Sequence, residues 1–173
     1  MAWRRAIDDD SALAVPVARG LAALGDRGAS VLVADIDPEL ADTAAFCERY
    51  GVEMAESANC VVVAGRRGED VRYAACMVLA TTRADVNGLV RRRLDARKAS
   101  FATMADAVTS TGMEFGGITP IGLPPQWPVL IDPAVLAAGP VVIGSGLRRS
   151  KLAVPADVLL ALPGAETVPD LAR

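Results

Sequence analysis

Residues 111–132, TGMEFGGITPIGLPPQWPVLID, decide how the chain is read. The segment sets a glycine-rich turn against a Thr-Pro pair and then enters an apolar run that ends in a carboxylate. Gly116 and Gly117 permit close backbone approach or a positive φ without a Cβ penalty. Pro120 fixes its own φ and drives Thr119 toward an extended conformation. A loop built this way is rigid and offers backbone N–H groups rather than reactive side chains. Val129-Leu130-Ile131 reads as a short buried strand. Asp132 then reads equally as the N-cap of a helix opened by Pro133 and as an acid in a pocket.

Outward from this segment, turn and period signals mark short elements. Toward the N-terminus, a helix over Val17–Leu24 follows Pro16 and ends at Gly25, and a strand covers Val31–Ala34. A helix opens at Asp37-Pro38 and runs to Tyr50, with Gly51 as its stop. Cys60–Ala64 and Val71–Ala80 read as a hairpin joined by Arg66–Asp70. A turn centred on Gly68 sets Cys60 opposite Cys76 and Val62 opposite Ala74 on one face. That cysteine pair reads as buried and unreactive, against the alternative of a redox switch. Asp85 caps a helix over Val86–Leu94, and a second short helix covers Met104–Ser110. Toward the C-terminus come a helix near Pro133–Ala137, strands at Val141–Ile143 and Lys151–Val154, and a helix from Pro155 to Leu162. Strands interspersed with short helices define one α/β (α+β) domain over residues 1–173, with a mixed, curved sheet.

Composition narrows the chemistry. With 173 residues the chain is long enough to enclose a core, and no apolar run is long enough to cross a membrane. The acidic cluster in the first fifteen residues argues against a secretory signal. Three cysteines without a CxxC spacing point to a reducing, cytoplasmic setting. There is no histidine, which removes Ser-His-Asp and Cys-His catalysis, histidine metal sites and the usual neutral-pH base. No metal and no organic cofactor is expected. Lys98 and Lys151 are the only lysines. The remaining basic residues are arginines, which clamp phosphates but do not shuttle protons. The net charge is −3, yet Arg83–Lys98 and Arg148–Lys151 together carry half of the Lys and Arg. Such runs read either as solvated faces or as a phosphate footprint made by Arg91, Arg92, Arg93, Arg148, Arg149 and Lys151.

These residues resemble a known family over about 42–171. Thr111-Gly112-Met113, then Gly116-Gly117-Ile118-Thr119-Pro120, is similar to the GxxxP loop of the YbaK/prolyl-tRNA-synthetase-associated domain. Val129–Asp132 resembles its next strand, Gly144-Ser145-Gly146 its C-terminal glycine turn, and Val154–Leu159 its closing helix entry. The resemblance implies a barrel-like sheet flanked by helices. It also implies an aminoacyl-tRNA deacylase that clears mischarged tRNA in trans, with the tRNA 3′ aminoacyl end as partner and an aminoacyl-tRNA synthetase as a second one. On this reading Gly116, Gly117, Ile118, Thr119 and Pro120 hold the aminoacyl end. Lys98, Asp132, Gly144, Ser145 and Gly146 stand near the substrate, and the ribose 2′-OH assists the attacking water.

The sequence departs from the family at one telling position. Asn59 stands where relatives carry a lysine. Three consequences are open: Lys98 or Lys151 reaches the same space, the substrate is gripped differently, or the protein binds without deacylating. The rivals to the editing reading are therefore a non-catalytic tRNA- or synthetase-binding module and a small-molecule ester or amide hydrolase.

Overall fold

Two strands, β3 (Ala58–Arg67) and β4 (Asp70–Leu79), form the longest ladder in the fold. A computed structural model describes residues 1–173. The ladder closes at Arg67 opposite Asp70, so the loop is Gly68-Glu69 alone, with Gly68 at φ 64°. A two-residue loop with positive φ at its first position matches strand twist. It also moves the register one residue from the expected one. Cys60 lies opposite Met77, Val61 opposite Cys76, and Val62 opposite Ala75. A one-residue slip sends a side chain to the other face. Cys60 and Cys76 therefore occupy opposite faces and are not the expected pair.

The other strands are β1 (Arg4–Arg5), β2 (Leu32–Asp35), β5 (Lys98–Phe101), β6 (Val129–Ile131), β7 (Val141–Gly144), β8 (Ser150–Val154) and β9 (Ala165–Thr167). They form a four-stranded sheet, β1-β2-β8-β7, and a five-stranded sheet, β5-β3-β4-β6-β9. The pairs β4–β6 and β6–β9 are parallel and the other pairs are antiparallel, so the expected mixed sheet is present. The expected barrel-like closure is not. A barrel needs every strand paired on both sides. Here β7 approaches β3 through one parallel bridge, Ser57 to Val142, and the two sheets part beyond it.

Short helices cover the sheets: α1 (Val15–Ala23), α2 (Asp26–Ala29), α3 (Thr43–Tyr50), α4 (Arg91–Arg93), α5 (Met104–Thr111), α6 (Pro133–Ala137) and α7 (Ala156–Leu160). The helix expected from Asp37 is split. Asp37 caps a single turn at Pro38–Leu40 by accepting from Glu39 N–H, and α3 starts afresh at Thr43. Asp85 caps as expected, accepting from the N–H groups of Gly88 and Leu89. The turn it opens is π-helical over Val86–Val90 before α4. The stretch after α4, unassigned from sequence, is the edge strand β5.

The main core lies between the sheets, where Ala75, Met77, Val129 and Ile131 meet Val33, Ile143, Leu152 and Val154. A second core forms on the outer face of the five-stranded sheet, from Val63, Cys76, Val78 and Leu130 against Val86, Val90 and Leu94. Strand β6 sends Val129 and Ile131 to one core and Leu130 to the other. Burial on both faces explains its unbroken apolar run. A third cluster gathers Ile36, Phe46, Cys47 and Val142 beside α3.

Candidate functional site

The parting of the two sheets opens a cleft of about 480 Å³. β3 pairs with β5 only from Val63 onward, so Ala58–Val61 lie on an edge that β5 leaves open. This edge forms one wall with Asn59, Cys60 and Val62. Val142, Gly144 and Lys151 form the opposing wall, and Phe115, Gly116 and Ile118 close the end.

Backbone packing holds the glycine loop against β7. Gly117 O accepts from Gly146 N–H at 2.7 Å, and Gly117 N–H donates to Glu114 O at 2.9 Å. A Cβ on Gly144 would lie 2.2 Å from Gly117 O, so only glycine lets these backbones approach. Arg148 locks the outside: its N–H donates to Glu114 Oε2 at 2.6 Å, and its guanidinium reaches Phe115 O at 3.2 Å and Pro38 O at 3.0 Å. The N–H groups of Gly116 and Ile118 donate to no acceptor within the protein. Two unclaimed donors on a fixed loop at a cleft wall are the elements of an oxyanion site.

The expected site residues divide sharply. Gly116, Ile118, Asn59, Gly144 and Lys151 line the cleft. Gly117 supports it from behind. Thr119 is fully buried, and its hydroxyl has no partner. Pro120 lines a separate cavity with Gly20 and Ala23 on the far side of the loop. Ser145 is buried and bonded to Ser150 Oγ at 2.7 Å, so its hydroxyl holds the turn and is not offered to a ligand. Gly146 packs against Ala14 and Val17, also outside the cleft. Asp132 takes the capping role rather than the pocket role: it accepts from Ala134 N–H at 2.9 Å and Ala172 N–H at 3.0 Å.

The basic residues separate too. Lys98 is exposed on β5 opposite Arg66, away from the cleft. Arg91, Arg92 and Arg93 follow the turn that packs on the second core, across the five-stranded sheet from the main core; Arg93 pairs with Glu166. Arg149 donates to Ser11 O. Lys151, in contrast, is only 7% exposed and reaches into the cleft wall. Burial lowers its pKa from the ordinary lysine value.

Sequence reasoning missed four contributors. Thr43 donates from α3 to Asn59 Oδ1 at 2.8 Å, a contact with no local signal. Phe101 and Phe115 line the cleft and are 64% and 52% exposed. Two of only three phenylalanines, both exposed at one opening, would have been a usable clue. Cys60 lines the wall, and burial pushes its thiol well above the usual range.

This arrangement is a two-sheet α/β fold, and solved structures share that fold. One, described as that of a candidate trans-editing enzyme for prolyl-tRNA synthetase, is 23% identical with a TM-score of 0.73, covering 91% of this chain and 97% of that one. A hypothetical protein is 21% identical with a TM-score of 0.76, covering 91% and 99%. A protein from Marinobacter aquaeolei VT8, described as a signal-transduction candidate, has a TM-score of 0.60 at 18% identity, covering 91% of this chain and 30% of that one. No curated protein matches the chain in sequence. Residues 37–162 match the aminoacyl-tRNA editing domain, and the chain belongs to that family. No helix is long and apolar enough to cross a membrane.

Proposed function

We propose that the protein is an aminoacyl-tRNA deacylase that hydrolyses the ester of mischarged tRNA in trans. The observation that carries this reading is the cleft wall formed by Gly116 and Ile118, whose N–H groups have no partner inside the protein. An aminoacyl ester is already activated, so a placed water and donors for the developing oxyanion suffice. The two N–H groups receive the oxyanion, and the substrate's ribose 2′-OH positions the water. Val62, Ala107, Ile118 and Val142 bound the space for the amino-acid side chain. A missing methylene changes binding by only about 1–3 kcal/mol, so selection works by excluding side chains that are too large. Phe101 and Phe115 offer faces on which the terminal base stacks, worth about 1–3 kcal/mol per base. Arg91, Arg92 and Arg93 meet phosphates farther along the tRNA. Their replacement by alanine weakens binding and flattens its salt dependence.

A second reading rests on Asn59. A neutral amide held by Thr43 stands on β3, which favours a module that binds tRNA or a synthetase without turnover. Amino-acid release from a panel of charged tRNAs separates the two. Release from mischarged species is expected for the deacylase, and binding without release for the module.

A further inference from the structure

Lys151 is a buried cation with no direct ion pair in the fold; Asp42, on the same cleft lining, acts on it only from beyond salt-bridge distance. On β8 it alternates with Ser150 and Leu152. Leu152 enters the main core and Ser150 Oγ donates to Ala12 O, while Lys151 faces α3 and the cleft. Its Nζ donates to Ala41 O at 2.9 Å and lies 5.2 Å from the centroid of the Phe46 ring. It forms no ion pair with any carboxylate. An ammonium has three donors, and the fold uses one of them. Burying such a charge unpaired is costly, and stability gives no reason to keep it. Its place beside Asn59, Thr43 and Gly116 supplies one: the missing anion arrives with the ligand.

We propose that Lys151 is the phosphate-binding cation of the cleft, delivered from β8, and that it grips the phosphate on the terminal nucleotide of the substrate. This rests on the editing reading for the identity of the ligand. The aminoacyl group itself carries an ammonium, which a neighbouring cation repels. The nearest anion on a 3′-aminoacyl adenosine is its 5′ phosphate. Lysine binds phosphate as a compact point charge, which suits a site with room for a single cation. Asn59, across the cleft, provides an amide but no charge.

The test uses adenosine 5′-monophosphate and adenosine as probes, which differ only by the phosphate. Binding is measured by calorimetry on the wild-type protein, on Lys151→Met, and on Lys151→Met combined with Asn59→Lys. The expected result is that Lys151→Met weakens the monophosphate by about tenfold to a hundredfold, the range for a hydrogen-bonded charge. Adenosine binding stays unchanged, and the lysine placed at 59 recovers part of the loss. Because that second variant restores charge from the opposite wall, recovery excludes misfolding as the cause. Equal affinity of the wild type for the two probes overturns the proposal, as does unchanged monophosphate binding in Lys151→Met. Amino-acid release on the same proteins keeps the two claims apart. Loss of phosphate binding in a protein that never releases amino acid upholds the phosphate site and sinks the editing reading. Release that is indifferent to Lys151→Met sinks the phosphate site and leaves editing standing.

Discussion

Replacing Lys151 with methionine should stabilise the folded protein while damaging its function. The change removes the hydrogen bond to Ala41 O and the contact with Phe46. A carbonyl left unsatisfied costs about 1–3 kcal/mol, and a partly buried cation–π contact contributes about 0.5–2 kcal/mol. Against this, the desolvation of a buried ion costs several kcal/mol, and methionine restores a sulfur–ring contact of about 0.3–1.5 kcal/mol. The balance favours the variant by about 1–2 kcal/mol, or about 2–8 °C in Tm for a chain of this size. The pH dependence has a definite sign. Burial lowers the Lys151 pKa below its ordinary 10.5, so across the window ending at 10.5 the unfolded chain holds more protons than the folded one. The contribution of this group to stability therefore rises with pH across that window. Methionine has no such dependence, so the variant's advantage is largest at neutral pH and shrinks toward 10.5. Thermal unfolding at neutral pH and again just above the ordinary lysine pKa measures both effects. A lower Tm for the variant at neutral pH would show instead that the buried ammonium is a net stabiliser.

Three further outcomes follow from the same geometry. Gly144→Ala forces a Cβ to within 2.2 Å of Gly117 O, so it should cost about 1–3 kcal/mol or more and abolish amino-acid release; wild-type release at full stability would contradict the packing. Asp132→Ala removes the acceptor for Ala134 and Ala172 N–H groups and should cost about 2 kcal/mol, lowering Tm by about 4–8 °C. Its release rate per folded molecule should match the wild type, whereas a selective loss of rate would return Asp132 to the site. Cys76 is fully buried and its thiol is pushed up to about 12, so it should not react with an alkylating reagent near neutral pH until the protein is unfolded, whereas Cys60 is half-buried on the cleft wall; prompt labelling of Cys76 in the folded protein would refute its burial.

What the sequence disclosed follows the range of the interactions involved. The cap at Asp85, the helices opened by Pro133 and Pro155 and the apolar strand at Val129–Ile131 are set by residues within four positions of one another, and each was readable. Asp132 read equally as a cap and as a pocket acid, and its bond to Ala172 N–H, 40 residues away, has no local signal. The hairpin was readable as a pair of strands but not in register, because one residue more or less in the turn leaves its composition nearly unchanged. That difference moved Cys76 to the opposite face from Cys60. Strand β5 was missed because three of its four residues are exposed, and no apolar alternation marks an edge strand of this length. The glycine loop was found, yet only Gly116 and Ile118 of its five residues reach the cleft. A rigid turn sends its neighbours in different directions, as the buried Thr119 and Pro120, which lines a separate cavity on the far side of the loop, demonstrate. The contact from Thr43 to Asn59 and the burial of Lys151 depend on α3 packing beside the four-stranded sheet. No local pattern encodes that packing.

Deacylation in the cleft is tested most directly by amino-acid release from matched sets of correctly and wrongly charged tRNAs, using the wild-type protein and Gly144→Ala as the control that disturbs the loop. Rapid release is expected from one or a few mischarged species with small side chains, little from correctly charged ones, and none in the control. Folded protein that binds these tRNAs and releases nothing from any of them would rule out the deacylase and leave a binding module in its place.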